Sequence, residues 1–130
     1  MAKTMMKLGA FTFSLDTAAY QQLQRTTAYK WPAQDRAGQS AALQFMGEGE
    51  DSIGLMGVIY PHYKGGLRQV DAMRKEAAKG EPLILVDGMG WVLGKWVILS
   101  ATETKKIFLE DGTPRKINFS LKLRKYSEAV

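Results

Sequence analysis

Arg115-Lys116-Ile117-Asn118-Phe119-Ser120-Leu121-Lys122-Leu123-Arg124 alternates polar and apolar residues without a break from Lys116 onward. Side chains along a strand point to opposite faces in turn, so the pattern predicts a strand with one face in a core and the other in water. Ile117, Phe119, Leu121 and Leu123 take the core face. Just upstream, Glu110-Asp111-Gly112-Thr113-Pro114 supplies turn residues, and the stretch from Trp91 to about Leu109 reads as the antiparallel partner. Further back, Pro82–Val86 and the turn Asp87-Gly88-Met89-Gly90 make a hairpin with Trp91–Ser100. The last third of the chain is therefore predicted to be wholly β.

The earlier part is more varied. Residues 8–15 alternate with period two and predict one strand with Phe11, Phe13 and Leu15 inward. Ala41–Met46 and Ser52–Tyr60, joined by Gly47-Glu48-Gly49-Glu50-Asp51, predict a further hairpin that Pro61 stops. Residues 16–40 show no clean period and read as a long connection, of the kind that is functional or ordered by a partner. One helix is predicted over 66–80. Leu67, Val70, Met73 and Ala77 share a face, Asp71 stands four residues before Lys75, and Gly80 lies where a helix C-terminus is capped. Strand, hairpin, helix and two hairpins close as a single domain over 1–130. It is mainly β with one helix (α+β), a small β-barrel or sandwich with the helix against it.

Composition excludes several classes of function. The chain has 130 residues, 45% apolar and 24% charged, which are ordinary globular proportions. Cysteine is absent, so disulfides, thiolate zinc and cysteine nucleophiles are excluded, and the single histidine, His62, rules out a multi-histidine metal site. No apolar run reaches the ~18 residues of a membrane span, and the segment Met1–Lys7 lacks the apolar stretch of a signal peptide. No metal, cofactor, small-molecule substrate or membrane is expected. The net charge is +5, and its excess is local. Seven basic residues and two acidic ones lie between 105 and 125, while the remaining eleven of each sign cancel.

Chemistry-bearing constellations are few. Glu48, Glu50 and Asp51 lack the ligand spacing of a calcium loop and read as a solvated acidic hairpin tip. Gly88-Met89-Gly90-Trp91-Val92-Leu93-Gly94 has Leu93 where a dinucleotide loop needs glycine, and strand follows instead of helix. Its glycines suit a tight turn and a close backbone approach. His62, between Tyr60-Pro61 and Tyr63, has no nucleophile or elbow to form a triad and reads as a loop or interface histidine. The chain is not read as an enzyme. Lys105, Lys106, Arg115, Lys116, Lys122, Arg124 and Lys125 make the best case for nucleic acid. Because Phe119 belongs to the core, that face lacks the stacking platform single strands require, and a solvated or subunit-facing surface is the favoured reading. Trp91 and Trp96 have opposite parity, so one of them leaves the core, and Trp31 beside Pro32 is another candidate anchor.

The chain resembles the GpU-like tail proteins of contractile-tailed phages and phage-tail-like bacteriocins over about residues 6–126. The segments that carry the resemblance are Tyr20-Gln-Gln-Leu-Gln-Arg25, Gln44-Phe45-Met-Gly47-Glu-Gly49-Glu-Asp51 and Gly57-Val-Ile-Tyr60-Pro61. They continue with Gly65-Gly-Leu67, Asp87-Gly88-Met-Gly90, Gly94-Lys-Trp96 and Asp111-Gly112-Thr-Pro114-Arg115-Lys-Ile117-Asn-Phe119-Ser-Leu121. The family pattern often has proline after Gly47, where this chain has Glu48. The resemblance implies a structural subunit with a tail-tube-like fold and an extended hairpin, forming a homo-oligomeric ring, a hexamer, where tail tube, baseplate hub and tape-measure protein meet. It implies a particle assembled in the bacterial cytoplasm, and nucleic acid only by passage through the lumen. A tail terminator ring at the head-proximal end is the alternative within the family, and a nucleic-acid-binding small barrel the alternative outside it. Hairpin 43–60, loop 20–40 and the basic hairpin 105–125 become the expected contacts, through Tyr20, Trp31, Glu50, Tyr60, Arg115 and Lys116.

Overall fold

Residues 4–14, 18–61 and 67–127 are described by the computed structural model. His62, Leu15 and the Gly65-Gly66 pair lie outside them. Among the described residues the elements are β1 (Met6–Leu8), β2 (Phe11–Phe13), β3 (Tyr20–Tyr29), β4 (Ala33–Arg36), β5 (Gln39–Leu43), β6 (Glu48–Ile59), α1 (Gln69–Ala78), β7 (Leu83–Asp87), β8 (Val92–Phe108) and β9 (Pro114–Lys125). The class is mainly β with one helix.

The alternating stretch over residues 116–124 is the body of β9, where the pattern puts it. Ile117, Phe119, Leu121 and Leu123 are buried, each paired with a neighbour on β6 or β8. One antiparallel sheet runs in the order β2-β1-β7-β8-β9-β6-β3, and β4 and β5 form a separate ribbon. The inner face of the sheet, with Ile53, Leu55, Leu85, Trp96 and Phe13, packs against Val70 and Met73 of α1. Among the described residues the two end strands share no ladder, but they meet at one corner. There the Tyr20 ring packs edge-on against Phe13 with centroids 5.9 Å apart, and the Tyr20 hydroxyl donates to the Met5 carbonyl at 3.3 Å. A side chain at Gly57 would run into the Ala19 carbonyl and the Phe119 ring, so glycine is what lets β3 cross β6 there. Trp96 is fully buried and Trp91 is largely exposed, but not by strand parity: Trp91 lies in the turn before β8, and the β7–β8 register shifts between Val92 and Gly94.

Several expectations are corrected. The single strand over 8–15 is two short strands around a Gly9–Ala10 turn, with Gly9 at φ 59, because Met6 and Leu8 also point inward. Residues 16–40 are not a loop, since β3 alone is ten residues long. Ala41–Met46 does not pair with Ser52–Tyr60. β5 pairs with β4, and β6 pairs with β3 and β9. The reason is common to both errors: most of β3, β4 and β5 is exposed on both faces, and a strand that buries neither face has no apolar alternation to read.

The helix differs in detail. α1 is shorter than 66–80, Leu67 lies outside it and is exposed, and Glu76 is buried beside Val70 and Met73. Asp71 pairs with Arg74 at 3.1 Å and Arg68 at 3.6 Å and not with Lys75. Gly80 follows the last turn at φ 68 and donates to the Ala77 carbonyl.

Candidate assembly surface

β3 and β6 leave the body as an antiparallel ribbon that reaches Tyr29↔Glu48. Its ladder continues as Lys30 N–H donates to the Gly47 carbonyl and Met46 N–H to the Lys30 carbonyl, both at 2.8 Å. Beyond them β4 and β5 pack chiefly on each other, turning at Gly38 with φ 70. The result is one two-stranded arm. Its upper part carries Tyr29, Trp31, Leu43, Phe45 and Met46, each more than half exposed. The Trp31 and Phe45 rings lie 4.9 Å apart and Tyr29 stands 6.4 Å from Phe45, so the arm presents an aromatic cluster to solvent. An isolated two-stranded ribbon is marginal in water, and apolar clusters of this kind mark interfaces.

The root of the arm is fixed by charge. Asp51, only 5% exposed, accepts from Arg25 Nε at 3.0 Å and Nη2 at 2.7 Å and from Thr27 Oγ1 at 3.1 Å. The Arg25 guanidinium lies 5.3 Å from the Trp96 ring centroid, over the end of the core. Hydrogen bonds from Arg25, ahead of the opposing effect of burial, hold the Asp51 carboxyl below the usual carboxylate range, and the same pairing raises the Arg25 pKa. Asp51 is thus no part of a solvated acidic tip. Glu48 and Glu50 lie in strand β6, and the residues between Gly47 and Asp51 make no turn.

A second buried carboxylate fastens the other side. Glu76 accepts the Ala10 backbone N–H at 2.6 Å and pairs with Lys79 at 2.5 Å, tying α1 to the β1–β2 turn. The Lys79 hydrogen bond, then the Ala10 N–H, lowers its pKa.

Two further protrusions complete the surface. In the β7–β8 turn, Asp87 Oδ1 accepts from the N–H groups of Met89 and Trp91, both at 2.9 Å, presenting two of the most exposed apolar side chains in the chain. At the end of the β8–β9 hairpin, Ile107 takes φ 56, and Ile107, Phe108 and Leu109 are exposed among Lys105, Lys106 and Arg115. A β-branched residue in the left-handed region is strained.

The residues expected at contacts fall into three places. Trp31 and Glu50 lie on the arm, exposed. Tyr60 directly follows β6 beside Arg115 and Lys116, since Ile59 pairs with Ile117, and this group stands roughly 33 Å from Glu50 at strand rise. Tyr20 is half-buried in the closing corner, where burial first and Asp87 second raise its pKa. Tyr29, Leu43, Phe45, Met46 and the Arg25–Asp51 pair were missed. Phe45-Met46 beside a polar run was the available signal for the cluster, but nothing local marks a pair of residues 26 apart. Among the described residues no group of three or more His, Asp or Glu is placed to hold a metal.

The Phage P2 GpU family matches residues 9–128. The chain belongs to that family. This GpU-family chain is a structural component of a phage-tail-like particle. It is 32% identical over 128 residues to a protein named as a probable tape measure protein of Halomonas phage phiHAP-1, covering 97% of this chain and 15% of that protein's length. Its fold is similar to a chain in the tail of an empty gene transfer agent particle with C6 symmetry, at TM-score 0.60, 13% identity and coverage of 96% and 92%. A chain of the native gene transfer agent virion matches at TM-score 0.59 and 14% identity, with coverage of 97% and 92%.

Proposed function

We propose that this GpU-family chain forms a homo-oligomeric ring, a hexamer, that joins the tail tube to the baseplate hub of a contractile tail next to the tape-measure protein, with no catalytic role. One observation carries the reading. β3 is a ten-residue strand that, among the described residues, is hydrogen-bonded in the sheet only to β6, and it continues into an arm with an exposed aromatic end. An open edge of that length is a template for strand addition. An edge used by one copy and an arm offered by the next make a head-to-tail contact, and such contacts close into rings.

Two comparisons support the finer points. A domain like this one is continuous with a protein named as a tape measure protein, which favours a position beside that partner. The similar solved chain lies in a tail of C6 symmetry, which favours six copies. Phage and bacteriocin particles suit the reading equally. The test is deletion of the gene in the producing strain followed by negative-stain electron microscopy of the induced lysate. Tubes and sheaths without joined baseplates are expected, and normal contractile particles would refute the proposal. Labelled protein seen at the head-proximal end would make it a terminator ring instead.

A further inference from the structure

Along β8 and β9 the sheet face turned away from α1 is polar and basic. On β8 its outward positions include Ser100, Thr102, Thr104 and Lys106, and opposite them on β9 stand Lys122, Ser120, Asn118 and Lys116, followed by Arg124. No carboxylate and no aromatic ring stands among them. Protein interfaces centre on apolar anchors, whereas the exposed large apolar side chains on this face include Ile84 on β7, Leu99 at the β8 bulge and Met56 opposite Ser120, set on separate strands among polar and basic neighbours. Lys106, Lys116, Lys122 and Arg124 have no ion-pair partner among the described residues. Lys106 and Lys116 are direct cross-strand neighbours, an arrangement that repels unless an anion lies over it.

Gly54 is an independent observation on the same face. It lies inside β6, with β3 on one side and β9 on the other, its φ is not positive, and a Cβ there would meet nothing within 4 Å. The fold therefore has no need of glycine, which weakens a strand interior and marks places where another backbone comes close. It floors an open dish of about 330 Å³ whose walls include Gln24, Thr26, Ser52, Lys122 and, toward the arm, Glu50.

We propose that this face, centred on Gly54, Lys122 and Arg124, contacts the sugar–phosphate backbone of duplex nucleic acid. Hydroxyl and amide groups donate to phosphate oxygens, and the cations neutralise charge. The lack of rings excludes stacking on unpaired bases, so binding is weak, independent of sequence and steeply dependent on salt. Glu50 opposes it and confines the phosphates to the β9 side. The ring reading supplies only the place where nucleic acid is met, as a passage through a tail, and the binding itself stands apart from that reading.

The test is fluorescence anisotropy of the full chain with a short labelled DNA duplex, from about 50 to 200 mM salt. The K122Q/R124Q pair changes two exposed, unpaired side chains. It is expected to weaken binding at least tenfold at the low end and to make the salt slope shallower by about two. Gly54→Val, which keeps an ordinary strand geometry, should weaken binding without lowering Tm, and Glu50→Gln should tighten it. Absence of binding at about 50 mM salt, or an unchanged slope in the double variant, overturns the proposal. Equal affinity for polyglutamate overturns it in favour of an acidic protein partner. Normal tails after gene deletion would refute the ring and leave a positive binding result intact.

Discussion

Asp51 and Glu76 are the two residues on which the geometry leans hardest, because each is a buried carboxylate held by at least one group far away in the chain. Arg25 and Thr27 take up the oxygens of one, Ala10 and Lys79 those of the other. Asp51→Asn should lower stability by about 1–2 kcal/mol, less than for a fully enclosed pair, because the Arg25 side chain is 38% exposed and water shares its charge. The urea midpoint should fall with an unchanged m-value. Both carboxyls have folded pKa values below their ordinary 3.8 and 4.5. Their contribution is therefore complete above the ordinary range and is lost as pH falls through it toward the depressed values. Tm should stay flat from about pH 7 to 5 and fall below about pH 4. Glu76→Gln should lower the plateau and flatten the acid limb, and an acid limb as steep as that of the parent chain would show that Glu76 does not cause it.

At the scale of elements, the hairpins differ in what specifies them. β8 and β9 are held by apolar positions that face Trp96 and the core, so their register follows from alternation. At the far end of that hairpin, Ile107 at φ 56 breaks the rule that β-branched residues avoid the left-handed region. The conformation costs an L-residue about 1–2 kcal/mol, of which glycine's greater unfolded entropy would return about 0.5–1. Ile107→Gly should therefore raise Tm by a few degrees in thermal denaturation while removing one exposed side chain. A lower Tm would show that the side chain is held by contacts that outweigh the strain.

The whole molecule divides into a packed body and an arm joined to it by β3 and β6. Lys30 and Gly47 are hydrogen-bonded across the arm, so an Asn-Gly turn placed between them would close a shorter hairpin in place of residues 31–46. Such a variant should melt within a few degrees of the parent chain, since β4 and β5 pack chiefly on each other. It should also fail to support particle assembly, which electron microscopy of complemented lysates would read. Normal particles from this variant would remove the arm from the interface.

What the residues determine alone is the part of the fold with a dry side. Residues 83–125, the helix face of Val70 and Met73, and the stop at Pro61 follow from spacing, because burial on one face writes its period into the chain. The basic excess between 105 and 125 was equally legible, though its division between two faces was not. The arm, the burial of Glu76 and the Arg25–Asp51 pair were settled only by tertiary structure. β3 buries neither face for most of its length, and its strand character comes from hydrogen bonds to β6 that leave no pattern in side chains. A carboxylate is buried only when a distant chain segment brings its donors, and nothing in the local sequence records where that segment will lie.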